Sequence, residues 1–329
     1  MQRIQYIDTM RSIGIILVIL QHCIGSVSEP LSRFIQAFHM PLFFFISGLC
    51  MKRGKVGGPK LIIRKAKTIL VPHITLCIIT LVTIVLSDVV LNKRASFADI
   101  DPFGIFLTMW FLPTLFCMKI IMIPILQICK KRLTISIMTL GIIFIFCITD
   151  YSKYNIVQQT LCALVFGFIG FLLRPYFDRY VQSRSVVKGL GWLSLISVAF
   201  LSVYNEPIAI YMIQYGNKLF FIIIALIAIL SIADISLSIC NSRFLDWLGR
   251  TSIFIYVIQF LITRGMVSIF SRVLHDYGYP YYFLPFLASL CLCVCLVPLL
   301  EKYVPQLFGK SPKQWASTNF IKIIINARY

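Results

Sequence analysis

The chain has 329 residues, of which 59% are hydrophobic and only 13% charged, and its mean hydropathy is +0.88. The charged share is about half that of soluble domains. Long, nearly uncharged runs recur along the whole length, which excludes a soluble globular fold, and their continuity does not fit the alternating pattern of a membrane β-barrel. The formal net charge of +19 raises nucleic acid as a partner, a class that the distribution of the charges then makes unnecessary.

Ten apolar segments follow one another, roughly 12–28, 35–51, 69–91, 103–126, 135–149, 156–173, 190–205, 208–231, 252–270 and 282–300. Only Glu206-Pro207 separates the seventh from the eighth. Of the 31 Lys and Arg, 23 fall at the N-terminus, in alternate loops and in the C-terminal tail, seven fall on the other side (five in loops, with Lys218 and Arg264 inside the eighth and ninth segments), and Lys119 lies within the fourth segment. Lys and Arg concentrate on the cytoplasmic side of membrane proteins. The expected fold is therefore all-α and polytopic, about ten transmembrane helices in one bundle with both termini cytoplasmic. Short loops make 1–329 a single membrane-embedded domain. Arg3, Arg11 and the apolar run Ile13 to Leu20 imitate a secretory signal, but Gln21 and His22 interrupt the run, so the segment is expected to stay.

Most of the eleven cysteines sit inside apolar runs, and CLCVC at 291–295 scatters its thiols around a helix. They are read as small apolar residues, and no metal is expected. Trp110 is read as an interface anchor. Gly167 and Gly170 in GFIGF, with Ser47-Gly48, are read as positions of close helix packing.

The first segment carries ionisable groups where hydrocarbon disfavours them. Arg11 and His22 are eleven residues apart, about three turns and 16 Å along a helix. With Asp8 one turn earlier they form one stripe: Asp8, Arg11, Ile15, Val18, His22. Such a stripe belongs against the bundle or a water-filled cavity. His39 enters the second segment at a depth matching His22, so a hairpin brings the two imidazoles close. Each histidine is read either as chemistry or as a hydrogen bond that holds two helices together.

The pattern Tyr6-Ile7-Asp8-x-x-Arg11 with His22 eleven residues later, FHMPLFFFISG from Phe38 to Gly48, the basic group Arg64, Lys65 and Lys67 ahead of Pro72, Trp110-Phe111-Leu112, and LGRTSIFIYVI from Leu248 to Ile258 together resemble the acyltransferase-3 family of integral membrane acyltransferases. The resemblance implies acyl transfer from cytoplasmic acyl-CoA, often acetyl-CoA, to a sugar hydroxyl. The acceptor is a surface polysaccharide or lipid-linked glycan such as O-antigen, capsule, exopolysaccharide or Nod factor. It implies a bacterial inner-membrane location, with membrane lipids but no nucleic acid as partners. Carried over by position, His22 matches the family's essential histidine and Arg11 its arginine partner, with Asp8 and His39 beside them. Arg64, Lys65 and Lys67 match the basic motif linked to donor handling. Two departures stand out: lysine replaces arginine at 65 and 67, and Gln259 occupies a position where the family often has His, so Gln259 is given no catalytic role. Since no large extramembrane domain follows the last segment, the membrane domain is expected to do the chemistry alone. His22 acts either as general base or as the carrier of a covalent acyl group. A transporter or flippase for a glycan or acyl intermediate is the alternative, since ionisable groups also mark transport paths, and a membrane scaffold is a third reading.

Overall fold

In a computed structural model the described residues are 5–26, 28–52, 59–87, 109–150, 155–183, 190–240, 242–273 and 282–308. The end of the third apolar segment, the start of the fourth, and most of the C-terminal tail lie outside them, as do several basic loop residues such as Arg53, Lys55, Arg184 and Lys188. The described chain is helical: α1 (Gln5–Ile24), α2 (Pro30–Gln36), α3 (His39–Leu49), α4 (Pro59–Ser87), α5 (Phe111–Ile128), α6 (Arg132–Ile148), α7 (Asn155–Ser183), α8 (Leu190–Ser202), α9 (Lys218–Ile239), α10 (Arg243–Arg250), α11 (Ser252–Val273) and α12 (Phe283–Tyr303). Seven of these, α1, α4, α5, α7, α9, α11 and α12, are long and apolar enough to cross a membrane; α6 and α8 are apolar but shorter. Large apolar side chains such as Phe144, Leu193, Phe200 and Leu299 are exposed on the outside, as hydrocarbon requires of a lipid-facing surface. The protein is an integral membrane protein.

The second apolar segment is not one helix. It breaks between α2 and α3, and α3 has only eleven residues, about 16 Å of rise against a hydrocarbon core of ~30 Å. The cause is Pro41. In a continuous helix its ring would strike the carbonyl four residues earlier, that of Ala37, and it has no N–H to donate. The Ile35 carbonyl at the break accepts from the Phe38 N–H at 3.2 Å and from the His39 ring at 2.8 Å.

The eighth segment is also displaced. Residues 208–217 form a turn outside any α-helix, with an Ala209–Gln214 bridge and a 3-10 helix at Ile210–Met212. Ile213 and Gly216 have φ of 61° and 57°, a region that helps to end helices. The Asn205 side chain ties the turn, donating to the Tyr215 carbonyl at 3.0 Å and accepting from the Asn217 N–H at 2.9 Å. Asn217 then caps α9, accepting from the Phe220 N–H at 3.0 Å. Apolar composition alone made 208–231 look like a single helix; the cap moves the helix to 218–239.

α1 is central, touching α2, α3, α9, α10, α11 and α12. α3 lies against α7 at backbone distance. A Cβ on Gly48 would fall into the Gly167 carbonyl, and one on Gly170 into the Phe45 carbonyl. FFFISG and GFIGF thus meet face to face through glycine, as small residues allow. Around that contact Phe44, Phe45, Phe166, Phe168 and Phe221 form the main core. Trp110 is not an interface anchor: it is 8% exposed and packs on Phe44 and Phe111 with ring centroids 6.3 and 6.2 Å away.

Cross-helix contacts define two ends. Arg174 donates to the Met51 carbonyl at 2.9 Å, and Arg132 to the Leu172 carbonyl at 2.6 Å. These share an end with the N-terminal turns of α1, here named the basic end. At the opposite end Arg33 donates to the Asn205 carbonyl at 2.7 Å, and Lys218 donates to the Thr149 carbonyl.

Gly48→Val is expected to cost at least the ~1–3 kcal/mol of ordinary overpacking, because the obstructing atom is backbone and no rotamer relieves it. Apparent melting in detergent should fall by several degrees. Gly141→Ala, with nothing within 4 Å of its added Cβ, should melt with the wild type.

Candidate functional site

The site begins where α1 enters the bundle. Asp8 is 2% exposed, and Arg11, one turn on, donates to its carboxylate at 2.9 Å. The pairing lowers the cost of both charges. α10 holds this turn in place. A Cβ on Gly249 would enter the Asp8 carbonyl, and the Ser12 hydroxyl contacts both the Asp8 carbonyl, at 3.0 Å, and the Leu245 carbonyl. Arg11 is thereby aimed sideways, where its second terminal nitrogen reaches Cys50 Sγ at 3.6 Å.

Arg11 faces a cavity of about 290 Å³ between α1, α3, α4, α5 and α11. Its polar lining is Arg11, Ser47, Cys50, Lys65, Thr68 and Lys119, with Ser252 and Tyr256 from α11; its apolar lining includes Ile15, Phe43 and Phe111. Lys119 Nζ donates to Ser47 Oγ at 2.5 Å. Ser47 is therefore a hydrogen-bonding residue as well as a neighbour of the packing glycine. Of the basic group read from the sequence, only Lys65 lines the cavity; Arg64 and Lys67 are exposed outside it.

The histidines lie elsewhere. His22 is exposed near the opposite end of α1, its ring edge-on to Phe260 at 5.6 Å between centroids. The Arg264 guanidinium lies 5.0 Å over that same ring and interacts electrostatically with His22. His39, 9% exposed, also lies within electrostatic reach of His22. Because the Ile35 carbonyl can only accept, His39 Nδ1 carries the donated proton and Nε2 is the acceptor of its neutral ring. Between the cavity and the histidines stand Ile15 and Val18, both buried, and three aromatic rings. Phe43 and Phe111 are 5.7 Å apart, and Phe111 and Tyr256 5.2 Å.

The stripe read from α1 is thus divided between two places. Arg11, held by Asp8, joins Lys65 at the cavity, while His22 lies about 16 Å further along the helix within electrostatic reach of His39. The reading from sequence missed Lys119, Cys50 and Arg264. An ionisable side chain inside an apolar segment was the available signal for Lys119; Cys50 lies near the end of the second apolar run and resembled its other small residues. Gln259 is buried, and its Oε1 has no hydrogen-bond partner among the described residues.

Searches of curated proteins and of solved structures find no match. At the level of families, residues 4–300 match the acyltransferase-3 model, described as an acyltransferase domain. That span takes in the ion pair, the cavity and both histidines, and the chain belongs to the acyltransferase-3 family of membrane acyltransferases.

Proposed function

We propose that the protein transfers an acyl group, acetyl by preference, from acyl-CoA to a hydroxyl of a cell-surface glycan such as O-antigen, capsule or exopolysaccharide. The bundle would sit in a bacterial inner membrane as about ten passes, with its basic end and both termini cytoplasmic. One observation carries this reading: a single helix presents Arg11 to a cation-lined cavity at one end and carries His22, within electrostatic reach of His39, at the other.

Donor phosphates are anions and suit the cavity's cations. The glycan hydroxyl suits His22. In the transfer, the hydroxyl oxygen attacks the thioester carbonyl, the carbon–sulfur bond breaks, and the hydroxyl proton passes through imidazole to the departing CoA sulfur. In a two-step version, imidazole nitrogen attacks the thioester carbonyl, the carbon–sulfur bond breaks and CoA leaves with the ring's N–H proton; the sugar hydroxyl then displaces the acyl group and returns its proton to the imidazole. Both routes balance and both use His22; His39 with its acceptor Nε2 is the second imidazole at the same depth. The layer of Phe43, Phe111 and Tyr256 keeps bulk water away from the path between the ends.

A deletion strain complemented with wild type should carry base-labile acyl groups on its surface glycan, seen by mass spectrometry or NMR. His22→Ala at matched protein level should lose them, by ~100-fold or more, the scale of a lost general base. A folded His22→Ala protein with full activity overturns the role of His22. Movement of a glycan or acyl intermediate across vesicles without any covalent product would instead establish the flippase reading.

Arg11→Lys should lower transfer more than stability, since the charge survives but the fork that spans Asp8 and Cys50 is lost. Asp8→Asn should lower both, because it leaves Arg11 without its carboxylate. Transfer assays on detergent-solubilised protein, paired with thermal melts, separate the two patterns.

A further inference from the structure

Lys119 has no assigned role. It lies nine residues before the end of α5, Ile128, which places it about 14 Å inside the bundle from the basic end. An ammonium at that depth is disfavoured unless something compensates it. Its hydrogen bond goes to a neutral hydroxyl, Ser47 Oγ. The titratable groups facing it are Lys65 and Arg11, both of like sign, and the Cys50 thiol. Among the described residues neither Lys65 nor Lys119 pairs with a carboxylate. Asp8 offsets Arg11, so the cavity lining keeps a surplus of positive charge. The five helices around it hold that surplus in one volume of about 290 Å³, the lower end of the range for ligand pockets.

We infer that Lys119, with Arg11 and Lys65, forms a binding site for a diphosphate group, with Lys119 as its deepest contact. Phosphate oxygens accept several charge-assisted hydrogen bonds at once, and a doubly charged anion would offset the excess that the protein leaves unmatched. The Ser47 hydroxyl holds Nζ toward the cavity, and Thr68 adds a second hydroxyl. The bearer of the diphosphate is either a soluble CoA or a polyprenyl diphosphate lipid. The acyl-CoA reading above favours the first, and the inference rests on that reading only for the bearer.

Cys50 supplies a readout independent of activity. It is exposed, lines the same cavity and touches Arg11, so an occupant beside Arg11 shields it. Purified full-length protein in detergent would be alkylated with N-ethylmaleimide, and modification of Cys50 followed by peptide mass spectrometry. The probes are CoA with its thiol blocked by S-methylation, so that it does not itself consume the maleimide, inorganic diphosphate and a polyprenyl diphosphate in mixed micelles. The expected result is slower labelling of Cys50 in wild type with CoA and with inorganic diphosphate. Lys119→Met should raise the half-protecting concentration by about tenfold or more, the loss of one charge-assisted contact, and Lys119→Arg should restore most of it. Protection by inorganic diphosphate and the lipid but not by CoA keeps the diphosphate site and removes acyl-CoA as donor. Equal protection by CoA in wild type and in folded Lys119→Met keeps the donor reading and overturns the role of Lys119. If no phosphate compound protects Cys50 in wild type, the inference fails whatever the variants do.

Discussion

A carboxylate almost wholly out of solvent holds a guanidinium 2.9 Å away at the entrance of the central helix. This pair constrains the whole basic end. A bilayer interior does not tolerate an unmatched arginine, so Asp8 must stay beside Arg11, and the backbone around Asp8 must not move. Gly249 and Ser12 meet that demand from either side, bringing α10 against α1 without an intervening side chain. With Asp8 occupied, Arg11 has one direction left, toward Cys50 and the cavity. The position of the cavity thus follows from how one ion pair is packed.

The same economy of small residues acts at the second contact. Gly48 on Gly167 and Gly170 on Phe45 bring α3 and α7 to backbone distance. That approach places Ser47, the residue beside Gly48, where Lys119 of α5 can reach it. In a membrane, where burial from water does not drive helices together, close packing and interhelical hydrogen bonds do. Here the two are neighbours in sequence: glycine sets the distance and serine uses it.

Much of this was legible in the residues. The spacing of Asp8, Arg11 and His22 gives their shared face directly, and GFIGF gives a packing surface. Hydropathy misjudged the places where local backbone chemistry overrides composition. Pro41 splits an apolar run into α2 and α3, and Gly216-Asn217 delays α9 by ten residues inside another. Both signals were in the sequence, but a window average over apolar side chains does not register a missing N–H or a cap. Trp110 was misplaced for a different reason. An aromatic near the end of a span has two fates, lipid interface or core, and only the neighbours Phe44 and Phe111 decide between them. Lys119 could be flagged as an anomaly but not explained, because its partners come from α1, α3 and α4.

The short α3 ties the two halves of the site together. Cys50 follows the last turn of α3 and His39 opens its first, so the cavity and the imidazole lie about 16 Å apart along that helix. On α1, Arg11 and His22 are separated by the same eleven-residue rise. Two antiparallel helices therefore carry the same pair of stations in register: a cavity contact at the basic end and an imidazole toward the other. Had Pro41 not broken the second segment, the run from Pro30 to Leu49 would be one helix of about 30 Å, with His39 in its middle rather than at its start. The break frees His39 to turn its Nδ1 back to the Ile35 carbonyl, leaving Nε2 without that duty. What lies between the stations is apolar: Ile15 and Val18 on α1, with Phe43, Phe111 and Tyr256 across from them. On the proposed function this layer is what the acyl end of the donor crosses, and an uncharged thioester on a flexible arm is the part of such a donor that an apolar passage admits, while its phosphates stay with the cations behind it.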